Sequence, residues 1–427
     1  NRDRDNLIID IVFEIQEGPR VFVERIDITG NVRTLDEVIR REFLLVEGDA
    51  FNASKMRRSR ERIQRLGFFR TVEVENIEGS EPDRTVIKTE VEEQSTGELT
   101  FGAGFSTDAG PIGTVGLRER NLLGRGQDVR IGLQLAAEAT QIDLSFTEPY
   151  FLDRNLSAGF DIFRTTTEQD ESSFDSERIG GSLRAGYELQ RDLRQLWRYT
   201  IERRDIRNVE NDASIFVRSE EGTTLRSSIG HELNLDTRDS VFDPRRGVNG
   251  SLNNDFTGLG GDVTFLKNVL GATFYYPITE GLTGSIRGEV GHMFGIGEDT
   301  RVSDRFFLSS RHIRGFEFGG VGPRDRNSGD SLGAKQYYVG SLQLAFPLGL
   351  PEEFDIRGRV FTDVGAAWGV DNDNRNVLDE SSPRVSVGGG ISWNSPLGPL
   401  ELDLGFAIVE EDFDRTEILS FNFGTSF

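Results

Sequence analysis

"ELTFGAGFS" (98–106) separates by parity. Leu99, Phe101, Ala103 and Phe105 fall on one face, and Thr100, Gly102, Gly104 and Ser106 on the other. Strict apolar–polar alternation is the period of a strand with one buried face. The same pattern returns in "QIDLSF" (141–146), "NLSAGFDIF" (155–163), "SLQLAF" (341–346), "LELDLGFAI" (400–408) and "ILSFNFGTSF" (418–427). About 9–11 tilted residues cross a bilayer as a strand. A run of such segments is the weak, repeated signature of a transmembrane β-barrel.

Composition agrees with that reading. The 427 residues include 49 Gly and 31 Phe, while only 4 of the 49 basic residues are Lys. Mean hydropathy is −0.41, and no run of about 18 apolar residues marks a membrane helix. A polar average with abundant Gly and Phe suits a sheet that is apolar on one face only. The chain has no cysteine, which excludes disulfides and thiolate metal sites. Its net charge of −23 argues against nucleic-acid partners, which need a basic face. The first residue is Asn1, so the lack of a signal peptide says nothing about compartment.

Residues 1–95 read differently. "VFVERIDITGN" (21–31), "TVEVEN" (71–76) and "TVIKTEVEE" (85–93) have strand character, with helical spacing in "LDEVIRREF" (35–43) and "SKMRRSRERIQRLGFF" (54–69). Ser54 is the expected N-cap of the second helix, and Gly67 its C′ residue. "IDIVFEIQE" (9–17) aligns with "TVIKTEVEE" at an offset of 76. Residues 1–17 are therefore expected to be the tail of a preceding copy of a module that occupies 18–95.

In residues 96–427 short connections (148–154, 276–281, 347–353, 395–398) alternate with long polar ones (165–177, 207–221, 297–335, 369–383, 409–416). Short turns on one side and long loops on the other describe an antiparallel barrel of about sixteen strands. Both barrel ends then lie on the short-turn side, together with residues 1–95. A soluble β-sandwich would also alternate, but a single sandwich is rarely this large.

No catalytic signature is present. His231, His292 and His312 are far apart in sequence, and no nucleophile elbow or phosphate loop occurs. "DNDNRNVLDE" (371–380) departs from a Ca²⁺ loop at Asn376 and Ser382, so a solvated loop is the better reading. No cofactor is expected. The stretch "RHIRGFEFGGVGPRDRNSGD" (311–330) stands apart: it is Gly-rich and aromatic, without a period, and too long for an idle loop.

These pieces together resemble the BamA family of central subunits of the outer-membrane β-barrel assembly machinery. "GNVRTLDEVIRREF" (30–43) and "RIQRLGFF" (62–69) are similar to its membrane-proximal polypeptide-transport-associated (POTRA) domain. "LSFTEPYFLDRNLSAGFDIF" (144–163), "DPRRG" (243–247) and "GLGGD" (258–262) are similar to its barrel. Ile313, Arg314, Gly315 and Phe316 match its [V/I]-R-G-[F/Y] loop motif, and Phe427 the terminal aromatic of its β-signal.

The resemblance implies an all-β transmembrane barrel preceded by a small α+β POTRA domain, with loop 297–335 folded into the lumen. Strand parity in "IRGRVFTDVGAAW" (356–368) independently puts Asp363 inside the barrel, and the family pairs the motif arginine with this F-x-D-x-G aspartate. The first strand carries Gly97, Gly102 and Gly104, and the last carries Gly424 beside Phe421 and Phe423. Glycines weaken strands, but they also relieve crowding in a lumen; the resemblance selects a lateral gate between these two strands. Cysteines across it, for example at Thr100 and Phe423, are expected to lock it when oxidised, provided that the register places them opposite.

The implied function is non-enzymatic insertion of β-barrel proteins into the bacterial outer membrane, with the POTRA domain in the periplasm. The implied partners are unfolded barrel clients, accessory outer-membrane lipoproteins, the lipid bilayer and lipopolysaccharide. A POTRA strand, "TVEVEN" or "VFVERIDITG", is expected at a sheet edge. Two alternatives share the barrel: a two-partner secretion transporter and a passive pore, each passing its substrate through the lumen.

Overall fold

The computed structural model describes residues 20–241, 243–351, 354–371, 376–395 and 398–424, together with the paired backbone of Arg2–Asp3 and Ile8–Ile9. The rest of segment 1–17 and the terminal Phe427 lie outside the described residues. Two compact units emerge: Asn1–Gly97 with Arg120–Gln127, and Glu98–Glu119 with Asp128–Phe427.

In the first unit a three-stranded sheet carries two helices. Strands β1 (Phe22–Thr29) and β2 (Phe69–Glu78) flank β3 (Arg84–Glu93), β1 running parallel and β2 antiparallel to it. Both strands read from sequence as edge candidates therefore sit at an edge. Helix α1 (Asp36–Arg40) is shorter than its periodic stretch, and α2 spans Ala53–Arg65. The N-cap of α2 is Asn52, whose side chain accepts from the Lys55 amide at 3.0 Å, and not Ser54. Asn one residue before the helix satisfies an orphan N–H that Ser54, inside the first turn, cannot reach. Gly67 takes φ +72° beyond the last turn, as a C′ glycine does. Val23, Ile39, Ile63, Phe69 and Ile87 close the core, each such burial being worth about 1.5–3 kcal/mol.

The second unit is a closed barrel of sixteen strands. They run β4 (Gly97–Ser106), β5 (Gly110–Leu122), β6 (Gln127–Ala136), β7 (Ala139–Glu148), β8 (Ser157–Gln169), β9 (Phe174–Gln190), β10 (Leu193–Arg207) and β11 (Gly222–Asp236). They continue through β12 (Gly247–Gly261), β13 (Phe265–Pro277), β14 (Thr283–Gly295), β15 (Gln336–Pro347), β16 (Ile356–Trp368), β17 (Arg384–Ser395), β18 (Gly398–Val409) and β19 (Leu419–Phe423). Each lies beside its sequence neighbours, and β19 closes on β4.

Parity decides which side chains face outward. Leu99, Phe101, Val360, Val364, Leu404 and Phe406 are exposed on the outer wall, while Phe361, Asp363, Arg359 and Asp403 are buried inside. The loop expected over 165–177 is instead a turn of 170–173, because β8 and β9 stay paired as far as Gln169–Phe174. Beyond the apolar belt both faces of a strand can be polar, so alternation fades before the ladder does. Connection 237–246, on the short-turn side, is longer than its neighbours there. Asp239 organises it by accepting from the Arg245 and Arg246 amides at 3.0 and 3.1 Å, which hold its carboxyl below the usual range. Arg357 of β16 reaches Asp243 of the same turn at 2.8 Å.

The connection 296–335 enters the lumen, where its Leu308, Ile313, Phe316 and Val321 pack with Tyr337, Val339 and Ala367 of β15 and β16 in a core of their own. Burial of these apolar side chains offsets part of the entropy cost of ordering so long a loop.

Candidate functional site

The loop motif is held by the wall. Arg314 donates from Nη2 to Asp363 Oδ1 at 2.7 Å and from Nε to Oδ2 at 2.8 Å, the paired geometry in which a guanidinium fits a carboxylate. Its backbone N–H adds a third bond to Asp363 at 3.1 Å. Nη1 reaches Gln343 at 2.8 Å and Nη2 reaches Ser341 at 3.0 Å, both on β15. The guanidinium carbon lies 3.4 Å from the centroid of Phe361. Asp363, only 1% exposed, takes a further bond from Ser341 Oγ at 2.6 Å.

Gly315 explains why the motif needs glycine. Its φ is +94°, and a Cβ there would stand 3.2 Å from the Gly405 carbonyl carbon on β18. A Cβ on Gly405 would in turn meet the Gly315 nitrogen at 2.6 Å. Two glycines thus let the loop backbone lie directly on the wall. Ile313 and Phe316 are fully buried on either side.

The motif also touches the segment that leads into the last strand. Phe316 forms a β-bridge with Thr416, and the Glu417 amide donates to the Gly315 carbonyl at 3.1 Å. Glu417 carries a carboxyl raised above its ordinary range, first by burial and then by the nearby carboxylates of Asp108 and Glu317. Asp108 belongs to the turn that follows β4, so these acids gather at the long-loop end of the seam between β4 and β19.

That seam is short. Among the described residues β19 and β4 share two opposed pairs, Asn422 with Ser106 and Phe423 with Phe105. By contrast, β8 and β9 stay paired from Ser157 to Gln169. Thr107 supplements the seam: its amide donates to the Phe421 carbonyl at 3.0 Å, and its hydroxyl accepts from the Phe421 amide at 2.7 Å. Phe105 and Phe421 rings lie 5.9 Å apart. Gly424 leaves the strand at φ +113°, where a Cβ would come within 2.8 Å of Gly104 Cα.

The register does not meet the condition set for the Thr100 and Phe423 cross-link. Phe423 faces Phe105 and not Thr100, which lies five residues further along β4, about 17 Å away at 3.4 Å per residue. The Thr100 hydroxyl donates instead to the Gly116 carbonyl at 3.3 Å. Gly97 opens β4 and Gly102 lies within it.

Two partnerships went unread in the sequence. Arg359 holds Asp403 of β18 through two bonds of 2.7 Å, with Glu401 3.0 Å from its Nη1. Parity in "LELDLGFAI" places Glu401 and Asp403 on the lumen face, and a carboxylate inside a barrel calls for a cation, so the signal was present. Asp371, at the start of the acidic stretch read against a Ca²⁺ loop, receives Arg305 at 3.3 Å, the Thr300 amide at 2.8 Å and the Lys335 ammonium. Residues 372–375 of that stretch lie outside the described residues.

Comparison with known proteins follows the same outline. The Omp85 superfamily domain matches residues 121–427, and the surface antigen variable number repeat, POTRA, matches residues 21–94. The outer membrane protein assembly factor BamA of Neorickettsia risticii (strain Illinois) is 33% identical over 98% of this chain and 57% of its own length. The sorting and assembly machinery component 50 homolog of Mus musculus is 30% identical over 78% of this chain and 73% of its own. The crystal structure of BamA from Haemophilus ducreyi lacking POTRA domains 1–3 superposes with a TM-score of 0.87 at 22% identity, covering 100% of this chain and 88% of that one. The chain spans 57% of the Neorickettsia relative, a little over half.

Proposed function

The chain belongs to the Omp85 superfamily, and from that premise we propose that it folds and inserts β-barrel proteins into the bacterial outer membrane through a lateral gate between β4 and β19. Its barrel, residues 96–427, lies in the membrane, and its POTRA domain, 18–95, in the periplasm. The single observation that carries the gate is the seam: two opposed pairs among the described residues, ended by Gly424 against Gly104. Each ladder bond contributes only about 0.5–1.5 kcal/mol net, so a seam this short parts at modest cost.

Once parted, the N–H and C=O groups along β4 present an unpaired edge, and a client strand adds there by β-augmentation. The client sheet then grows from that edge into the bilayer. The step is an exchange of hydrogen bonds, so the reading includes no enzymatic chemistry, nucleotide or cofactor. The outer edge of β2 offers the POTRA domain the same mode of pairing with unfolded clients or with accessory outer-membrane lipoproteins, whereas that of β1 is taken up from Val21 to Ile26 by the segment 47–51 and Arg40. The outer wall meets lipid and lipopolysaccharide.

Depletion in the source bacterium tests the proposal. An assembly factor predicts a broad fall in outer-membrane barrel proteins. Loss of one secreted substrate, with other barrel proteins at normal levels, would overturn it in favour of a secretion transporter.

A further inference from the structure

At two of the places where the loop 296–335 meets the barrel wall, it makes ion pairs with the charges exchanged between them. At Arg314 the loop supplies the cation and the wall the acid, Asp363. Nearer its start the loop makes one turn of 3-10 helix, Val302–Asp304, and there the loop supplies the acid. Asp304 Oδ1 accepts from Arg226 of β11 and, at 3.3 Å, from Arg204 of β10. Arg204 also donates to the Ser303 carbonyl at 2.6 Å. Lys267 of β13 donates to the Asp304 carbonyl at 2.9 Å and stands 4.2 Å from the centroid of Phe306. The side chains of Asp304 and Arg226 are 3% and 6% exposed, so this ion pair is shielded from bulk water.

We propose that Asp304 is a second, charge-reversed anchor, and that with Arg314 it makes the loop a cross-brace which closes the lumen to diffusing solutes. The two anchors stand on different parts of the wall: β10, β11 and β13 hold Asp304, while β15 and β16 hold Arg314. A loop tied at one place can swing about it; tied at two, it spans the lumen. Asp304 is also what allows Arg204, Arg226 and Lys267 to converge. Without its carboxylate Arg204, Arg226 and Lys267 lose the acid they share, and the acids that remain around them are Glu202 beside Arg204, Asp255 near Lys267, and Glu220, which accepts from the Val302 and Ser303 amides. A cation at position 304 would be a fourth beside these three, and like charges repel more strongly there than in water, so charge reversal drives the outer end of the brace away from the wall. Asp304 acts through the position of the loop and touches no substrate.

Planar-bilayer conductance of the purified full chain, without any client, tests the brace. Wild type is expected to give small, brief openings. Asp304→Arg should move the distribution to larger and longer openings. The exchanged variant, Asp304→Arg with Arg226→Asp, should return it to wild type, because the pair re-forms with its signs swapped. Heat-modifiable migration on gels reports whether each barrel is folded. Wild-type conductance in a folded Asp304→Arg variant overturns the proposal. So does a folded exchanged variant that conducts as strongly as the single one, since a merely structural lesion is not rescued by a second charge reversal. Neither result bears on client insertion through the seam, which is read separately by depletion.

Discussion

Replacing Arg314 by alanine removes one side of a buried ion pair. Breaking such a pair from one side costs about 3–5 kcal/mol, because the remaining charge is left uncompensated. Asp363 would keep the bond from Ser341 Oγ at 2.6 Å and that from the backbone N–H of residue 314 at 3.1 Å. Those two donors put the loss at the lower end, about 3 kcal/mol. At about 1.4 kcal/mol per tenfold, the undocked loop gains roughly 100-fold in population. Arg314→Lys keeps the charge but not the fork that spans Asp363, Gln343 and Ser341, and should cost about 1–2 kcal/mol. Hydrogen exchange at Ile313–Phe316 reads this directly: protection should fall most in Arg314→Ala and less in Arg314→Lys, and insertion of clients into liposomes should fall in the same order. Unchanged protection in Arg314→Ala would refute the reasoning, because the Asp363 pair would then contribute nothing to docking.

The seam offers three more tests. Cysteines at Ser106 and Asn422, which face each other in the observed register, should form a disulfide that stops client insertion until it is reduced, whereas a Thr100 and Phe423 pair should not cross-link; the chain's lack of native cysteine makes the gel readout unambiguous. Gly424→Ala puts a Cβ within 2.8 Å of Gly104 Cα at a φ of +113°, a strain of about 1–3 kcal/mol, and spin labels across the seam should report a larger open fraction. Glu417, whose carboxyl is raised by burial and by Asp108 and Glu317, favours the closed form below its ordinary pKa and loses that contribution as pH rises through the raised value. Acidification from neutral pH should therefore narrow the spin-label distance at the long-loop end of the seam, and Glu417→Gln should remove that dependence.

Alternation alone determined much of this protein. A period of two puts every second residue in hydrocarbon, so "ELTFGAGFS" and its repeats declared strands, their outer faces and a barrel of about sixteen. The same parity placed Asp363 inside, and it would have placed Asp403 there too. The POTRA elements were legible because helix and strand periods differ and because Gly67 marks a helix end. What the sequence withheld is whatever depends on contacts distant along the chain. The length of β8 and β9 beyond the apolar belt rests on backbone ladders, which carry no hydropathy signal. The seam's register, Phe423 against Phe105 and not Thr100, is set where the two ends of the barrel meet, more than three hundred residues apart. The fit of Gly315 on Gly405 and the convergence of Arg204, Arg226 and Lys267 on Asp304 arise only once the loop has entered the lumen. Local pattern reports which face a side chain takes; only closure of the barrel decides which partner waits there.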